Sequence, residues 1–212
     1  MGHLAESVLT GYGRSFFVET RTGGGNMGRF YTEKELRDLG VREFGEDVRI
    51  SKTAIIVKPE YVKIGSHVRI DDYVLMTGSI WLHSYIHISS FCSLGGRAGI
   101  VMEDFSGLSA GVRIFSASDD YSGEFMTNPT VPEKFTNVTA ATVYLRKHVI
   151  VGANSVILPG VEIEHGGAVG AISLVTRDVP AFEIHAGTPA KKVSERKRNL
   201  IRLEEQLMGV PK

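Results

Sequence analysis

One cysteine, one tryptophan and seven prolines stand in 212 residues, and the formal net charge is zero. Each scarcity excludes something. A lone thiol, Cys92, cannot build an intramolecular disulfide framework, so the chain suits a reducing compartment. The 24 lysines and arginines are balanced by 24 aspartates and glutamates. That balance argues against a polyanion-binding surface spread over the whole molecule, and hence against nucleic acid as a partner, while leaving room for a local phosphate pocket. No run approaches the roughly 20 apolar residues that span a bilayer. The opening MGHLAESVLTGYGRSFFVET lacks a basic flank followed by a continuous apolar stretch, so no signal peptide is expected. The expectation is a soluble, cytoplasmic protein without membrane insertion. Core material is not lacking, since 42% of the residues are hydrophobic.

What is present is a period of six. Written in sixes, residues 145–180 read LRKHVI VGANSV ILPGVE IEHGGA VGAISL VTRDVP. A large aliphatic residue leads each block, and a small or β-branched one tends to sit fifth. Upstream, hexads begin at Phe44, Ile50, Ile56, Ile64, Ile70, Met76, Leu82, Ile88, Leu94, Met102, Leu108 and Ile114. Their fifth positions include Val68, Val74, Ile80, Ile86, Cys92, Ala98, Ser106 and Val112. Residues six apart lie on different faces of a helix, and an ordinary strand buries every second residue. A period of six suits a short strand followed by a sharp corner. Three such sides close a triangular coil with hexad positions one and five pointing inward. Coils stack about 4.8 Å apart through parallel strand pairing. The hexads make about six coils, an all-β solenoid. The frame is broken by two extra residues after the Ile56 hexad, two after the Leu94 hexad and a long insertion after Ile114. All three follow a third side, so they stack on one edge.

The flanks read as helices. Thr32 and Glu35 form a capping box and Gly40 is a stop signal, giving a short helix over 33–39. Residues 195–208 show Leu200, Leu203 and Leu207 on one helical face, which would lid the prism or pack on a neighbour. Glycine-rich TRTGGGNMGRF before Thr32 reads as flexible. The expected organisation is an N-terminal extension over 1–43, a solenoid domain over 44–192 with a loop at 116–143, and a C-terminal helical segment over 193–212. Trp81 and Phe91 read as packing residues, and Cys92, at an inward position, as core filler.

The repeat resembles that of the hexapeptide-repeat proteins, the left-handed parallel β-helix family, over roughly 44–192. The left-handed coil, an exception to the usual crossover rule, comes from that resemblance and not from the period. The last stretch, VGAISLVTRDVPAFEIHAGTPAKKV, resembles the closing motif of hexapeptide acyltransferases, which binds coenzyme A. The resemblance implies acetyl-coenzyme A as co-substrate and no metal. It puts Ala153 and Ala171 against the pantetheine arm, Thr176 and Arg177 at the family's Thr-Lys pair, and Lys191 near the nucleotide phosphates with Lys192 and Arg196 close by. Ile172 stands where the family has glycine, and Arg177 where it has lysine. The other reading of this stretch is a turn at Gly187-Thr188-Pro189 flanked by solvated lysines.

The chain threads onto the galactoside and maltose acetyltransferases, and the departures are informative. Their catalytic histidine falls at Asp119, followed by Asp120. Their active-site asparagine falls at Ser89, and an acceptor-binding aspartate at Arg97. His87 replaces an aromatic residue of the acceptor pocket. In the family that surface faces the loop of the next subunit, so the resemblance implies His87 as general base, oriented by Asp119 or Asp120 of a neighbouring chain. A stacking or structural imidazole is the plainer role for it. His83 and Tyr121 are further candidate acceptor contacts. His185 lies near the cofactor motif, and His67, His148 and His165 read as surface residues. A neutral amine acceptor would need no enzyme base.

The resemblance therefore implies a homotrimeric, acetyl-coenzyme A-dependent acetyltransferase acting on a hydroxyl or amino group of a sugar or nucleotide sugar. It resembles the sugar acetyltransferases of surface-polysaccharide pathways. The alternatives are a zinc-dependent carbonic anhydrase on the same prism, which needs three converging histidines, and a non-catalytic trimeric scaffold, which would not bind coenzyme A.

Overall fold

The computed structural model describes residues 28–209, so the readings made on residues 1–27 lie outside the described residues. The chain winds into a triangular parallel solenoid. Its first face pairs Phe44 with Ile64, then Leu82, Met102, Leu145, Ile163 and Val179 in register. The second face runs Ile50, Ile70, Ile88, Leu108, Val151, Val169 and His185. The third runs Ile56, Met76, Leu94, Ile114, Ile157 and Val175. Seven coils stack on two faces, one more than the six hexad triplets predict. The added coil is built by Val179 and His185.

The hexad leaders fill the prism. All except Phe44 are buried, most of them completely. Burying a Leu or Ile side chain is worth about 1.5–3 kcal/mol, so the leaders outweigh any surface contribution. Ala98 is a correction: it is half-buried, and Ile100, 1% exposed, points inward instead, paired with Ile80. The two extra residues of that hexad bulge out before Ile100, not after Ala98.

Corners are made by left-handed residues. His67, Tyr85, Phe105 and His148 repeat on the edge between the first and second faces, with φ of 57°, 59°, 59° and 63°. An L-residue there costs about 1–2 kcal/mol. The rings stack along the edge at centroid spacings of 4.7, 4.7 and 5.1 Å and continue through His165 to Phe182. Each aromatic pair returns about 0.5–1.5 kcal/mol, which offsets most of the strain. His148 and His165 are thus not simple surface residues: His148 is buried, and its Nε2 lies 2.6 Å from Glu204 Oε2.

Helix α1, Glu33–Leu39, carries both hydrogen bonds of the capping box and ends at Gly40. Its Leu36 is buried in the core, so the helix closes the lower end of the prism. Helix α2, Asn199–Leu207, begins four residues later than the sequence predicts. The chain before it forms a strand, Lys191–Glu195, antiparallel to Glu183–Ala186. Helix α2 buries no residue and is not a lid. Its Glu204 holds it to Lys147 and His148, while Leu203 and Leu207 stay exposed.

Candidate active site

The second face carries His87 and the polar groups around it. His87 projects from strand His87–Ile88, between Arg69 below and Gly107 above. Its Nε2 lies 2.8 Å from Asp71 Oδ2, and Arg69 Nε donates to the other oxygen of Asp71 at 2.8 Å. The Asp71 side chain is only 9% exposed, whereas that of His87 is half-exposed. Burial pushes the Asp71 carboxyl upward, but the His87 and Arg69 hydrogen bonds prevail and hold it below the usual carboxylate range. Asp71 is therefore an ionised group that fixes a ring. With Nε2–H donated to it, Nδ1 is left as the basic nitrogen.

His87 and Ser89 line one shallow cavity of about 240 Å³, floored by Gly107, Leu108, Ser109 and Ala110. Neither the Ser89 nor the Ser109 hydroxyl has a partner among the described residues. Both occupy the position after a hexad leader, one coil apart, so the column that yields Ser89 also yields Ser109. Asp71 holds the same column two coils below Ser109, and it is the carboxylate beside His87 that sequence reasoning missed.

A track of small residues climbs from this cavity. After Ser109 and Ala110 come Gly152 and Ala153, then Gly170 and Ala171, then Ala186 and Gly187. From Ser89 to Ala186 the track rises four coil steps, about 19 Å. There is no spare room beneath it. A Cβ at Gly152 would meet Ala171 N at 2.4 Å, and one at Gly170 would meet the Ala186 Cβ at 2.8 Å. The track ends at the hairpin turn that contains the cis Thr188–Pro189 bond, followed by exposed Lys191.

The remaining predicted residues separate. Lys192 has its Nζ 2.6 Å from Glu183 and 2.5 Å from Glu195, contacts that tie the hairpin together. Glu183 also accepts from His185 at 2.8 Å. Lys191 and Arg177 have no acidic partner among the described residues. Thr176 and Arg177 lie at the other border of the third face from Ala153 and Ala171. His83 is on the first face, its ring tilted against Trp81 at 4.7 Å, and does not meet His87. Trp81 and Phe91 are exposed and pack against surface rings, Trp81 on His83 and Phe91 on Tyr73.

The insertion after Ile114 is pinched at its base by antiparallel strands Ala117–Ser118 and Thr139–Ala140. Within the chain, Asp119 and Asp120 support this loop instead of touching His87. Asp119 accepts from Asn128 N, and Asp120 accepts from Ser122 Oγ and Gly123 N. Tyr121 is 93% exposed. Arg97 and Asp119 line a cavity of about 520 Å³ under the loop. Cys92 is buried, and burial pushes its thiol up to about 11, which leaves it inert as a nucleophile. No group of three or more candidate metal ligands exists among the described residues. His83 and His87 lie on different faces, and the carbonic anhydrase alternative is not supported.

No family model matches the chain. It is 39% identical over 178 residues to the dTDP-4-amino-4,6-dideoxy-D-glucose acyltransferase of Escherichia coli, covering 82% of this chain and 93% of that one. It is 40% identical to AntD, an N-acyltransferase from Bacillus cereus solved with dTDP and 3-hydroxybutyryl-CoA. That superposition has a TM-score of 0.83 and covers 85% of this chain and 97% of the other. A maltose O-acetyltransferase from Clostridium difficile shares the fold at 18% identity, with a TM-score of 0.53 and coverage of 78% and 75%. The left-handed parallel β-helix expected from the repeat is the fold these comparisons support.

Proposed function

Since the chain belongs to the acyl-coenzyme A-dependent sugar acyltransferases typified by the dTDP-4-amino-4,6-dideoxyglucose enzyme, we propose that it acylates the amino group of a nucleotide-linked amino sugar. The observation that carries this reading is the His87–Asp71 pair at the foot of the small-residue track. The co-substrate supplies the acyl group as a thioester. The track gives its slender arm a path past Ala171 and Ala153 to His87, and Lys191 and Arg177 suit its phosphates. Thr176 is grouped with Arg177 at the far border of the face. That division fits a cleft between two prisms of a homotrimer, with the Asp119 loop of one chain facing His87 of the next.

At His87 the reaction needs a neutral amine and somewhere to send a proton. The amine nitrogen forms its bond to the thioester carbonyl carbon, the C–S bond breaks, and the sulfur leaves as a thiol carrying the proton that His87 relays to it. His87 Nδ1 accepts the proton from the attacking nitrogen. Asp71 keeps the ring oriented and balances the charge it acquires. The free hydroxyls of Ser89 and Ser109 orient the acceptor, and Asp119, with Tyr121 and Arg97, closes over it from the neighbouring loop. Asp120 acts by shaping that loop.

The test is a thioester-release assay across nucleotide-linked amino sugars, free amino sugars and simple glycosides. The nucleotide-linked amine should give the highest kcat/KM. Preference for a plain glycoside hydroxyl would overturn the reading.

A further inference from the structure

The first face has a notch at its lower end. Glu43, Lys63 and Trp81 stand one above another in an outer column, on successive coils. On the other side of each hexad leader come Gly45, Gly65 and His83. Both glycines are dictated by the close approach of the neighbouring coil. A Cβ at Gly65 would meet the His83 carbonyl carbon at 2.6 Å, and one at Gly45 would meet Ser66 N at 2.7 Å. A trough two coils long therefore lies beneath His83. Arg37 of helix α1 and Arg42 border it, giving a cavity of about 520 Å³. That volume is in the range of small-ligand pockets.

The lining carries donors with nothing to donate to. Trp81 is 51% exposed and its ring lies 4.7 Å from that of His83, so two aromatic rings form one wall. Neither the indole N–H nor the His83 imidazole has a hydrogen-bond partner among the described residues. Arg37 lies over the Phe44 ring at 4.7 Å, and Arg42 is exposed. Neither arginine has an ion-pair partner among the described residues. The acids of the trough are engaged: Glu43 holds Lys63 at 2.9 Å, and Asp104 accepts from Ser84 N at 2.8 Å. Two guanidinium groups and an aromatic wall are left over. None of these residues lines the His87 cavity, and the edge that carries the ring ladder, at Tyr85, separates the two.

We propose that this trough is a second binding site, for a small aromatic anion: a flat ring bearing a carboxylate or a phosphate. The ring lies against the Trp81 wall. The Arg37 and Arg42 guanidinium groups take the anionic oxygens through charge-assisted hydrogen bonds. Being apart from the reaction cleft, the site is filled alongside coenzyme A and not in competition with it.

Trp81 is the single tryptophan of the chain, so its emission reports on this trough alone. The full chain is titrated to millimolar concentration with benzoate and with phenyl phosphate, and with acetate and inorganic phosphate as anions without a ring. Each series is run with and without saturating coenzyme A. At least one aromatic anion should change the emission saturably, along the same curve when coenzyme A is present. The tighter of the two tells whether the head group is a carboxylate or a phosphate. Arg42→Ala, at an exposed position, should weaken that binding about tenfold. Trp81→Leu, followed by calorimetry, should weaken it several-fold. The site is overturned by any of four results: no saturable change with either aromatic anion, a response abolished by coenzyme A, an equal response to the anions without a ring, or an Arg42→Ala curve that overlies the wild type.

Discussion

His87 and Asp71 are sixteen residues apart in the chain and 2.8 Å apart in space. His87→Ala should lower kcat by about 10²–10⁴-fold, the usual worth of a general base, while coenzyme A affinity measured by calorimetry stays as it was. Asp71→Asn keeps a hydrogen-bonding group but removes the charge, so its kcat should fall in the same direction by less. Lys191 and Lys192 make a second contrast. Lys191→Ala should weaken coenzyme A, whereas Lys192→Ala should leave it unchanged and instead loosen the hairpin that Lys192 ties to Glu183 and Glu195. Neighbouring lysines are equivalent in a motif, and only the strand register separates them. Likewise His87 was conspicuous as a departure from a family pattern. Asp71 was not, because its role depends on which residues of successive coils lie side by side.

The six-ring ladder along one edge is an element the period of six does not announce, since its members occupy a corner position that any residue able to turn left-handed could take. It brings His165 into a partly buried setting. Burial, followed by the nearby His148 and Lys147, holds the His165 imidazole below the ordinary 6.5. The folded value is below the unfolded one, so protonation opposes folding. The stabilisation is complete above about pH 6.5 and is lost as pH falls through the folded value. Thermal melts between neutral pH and pH 5 should show a falling Tm, with a shallower slope in His165→Phe, which keeps a ring and removes the proton site. Helix α2 is bound to the same ladder through Glu204. Its apolar positions were legible as a helical stripe, but a stripe does not say what covers it, and here Leu203 and Leu207 are left exposed.

For the molecule as a whole, the solenoid was readable because its rule is repeated on every side of every coil. The reading failed where the rule is local. Val179 follows Val175 by four residues and the second-face leader of the last coil is His185, so the seventh coil has no hexad signature. An eight-residue side such as Leu94–Val101 does not reveal where its two extra residues bulge, which is why Ile100 and not Ala98 turns inward. The proposed cleft between chains makes a prediction of its own. Co-expressed His87→Ala and Asp119→Asn chains should form mixed oligomers that regain part of the activity each lacks alone, with assembly checked by light scattering. No recovery would confine the reaction to a single chain. The pinched base of the long insertion has one more consequence. Because Ala117–Ser118 closes on Thr139–Ala140 before the chain rejoins the prism at Val143, the coil experiences only a two-stranded neck, whatever hangs beyond it. That neck is a socket: a foreign segment of another length can be mounted there while the framework underneath goes on winding undisturbed.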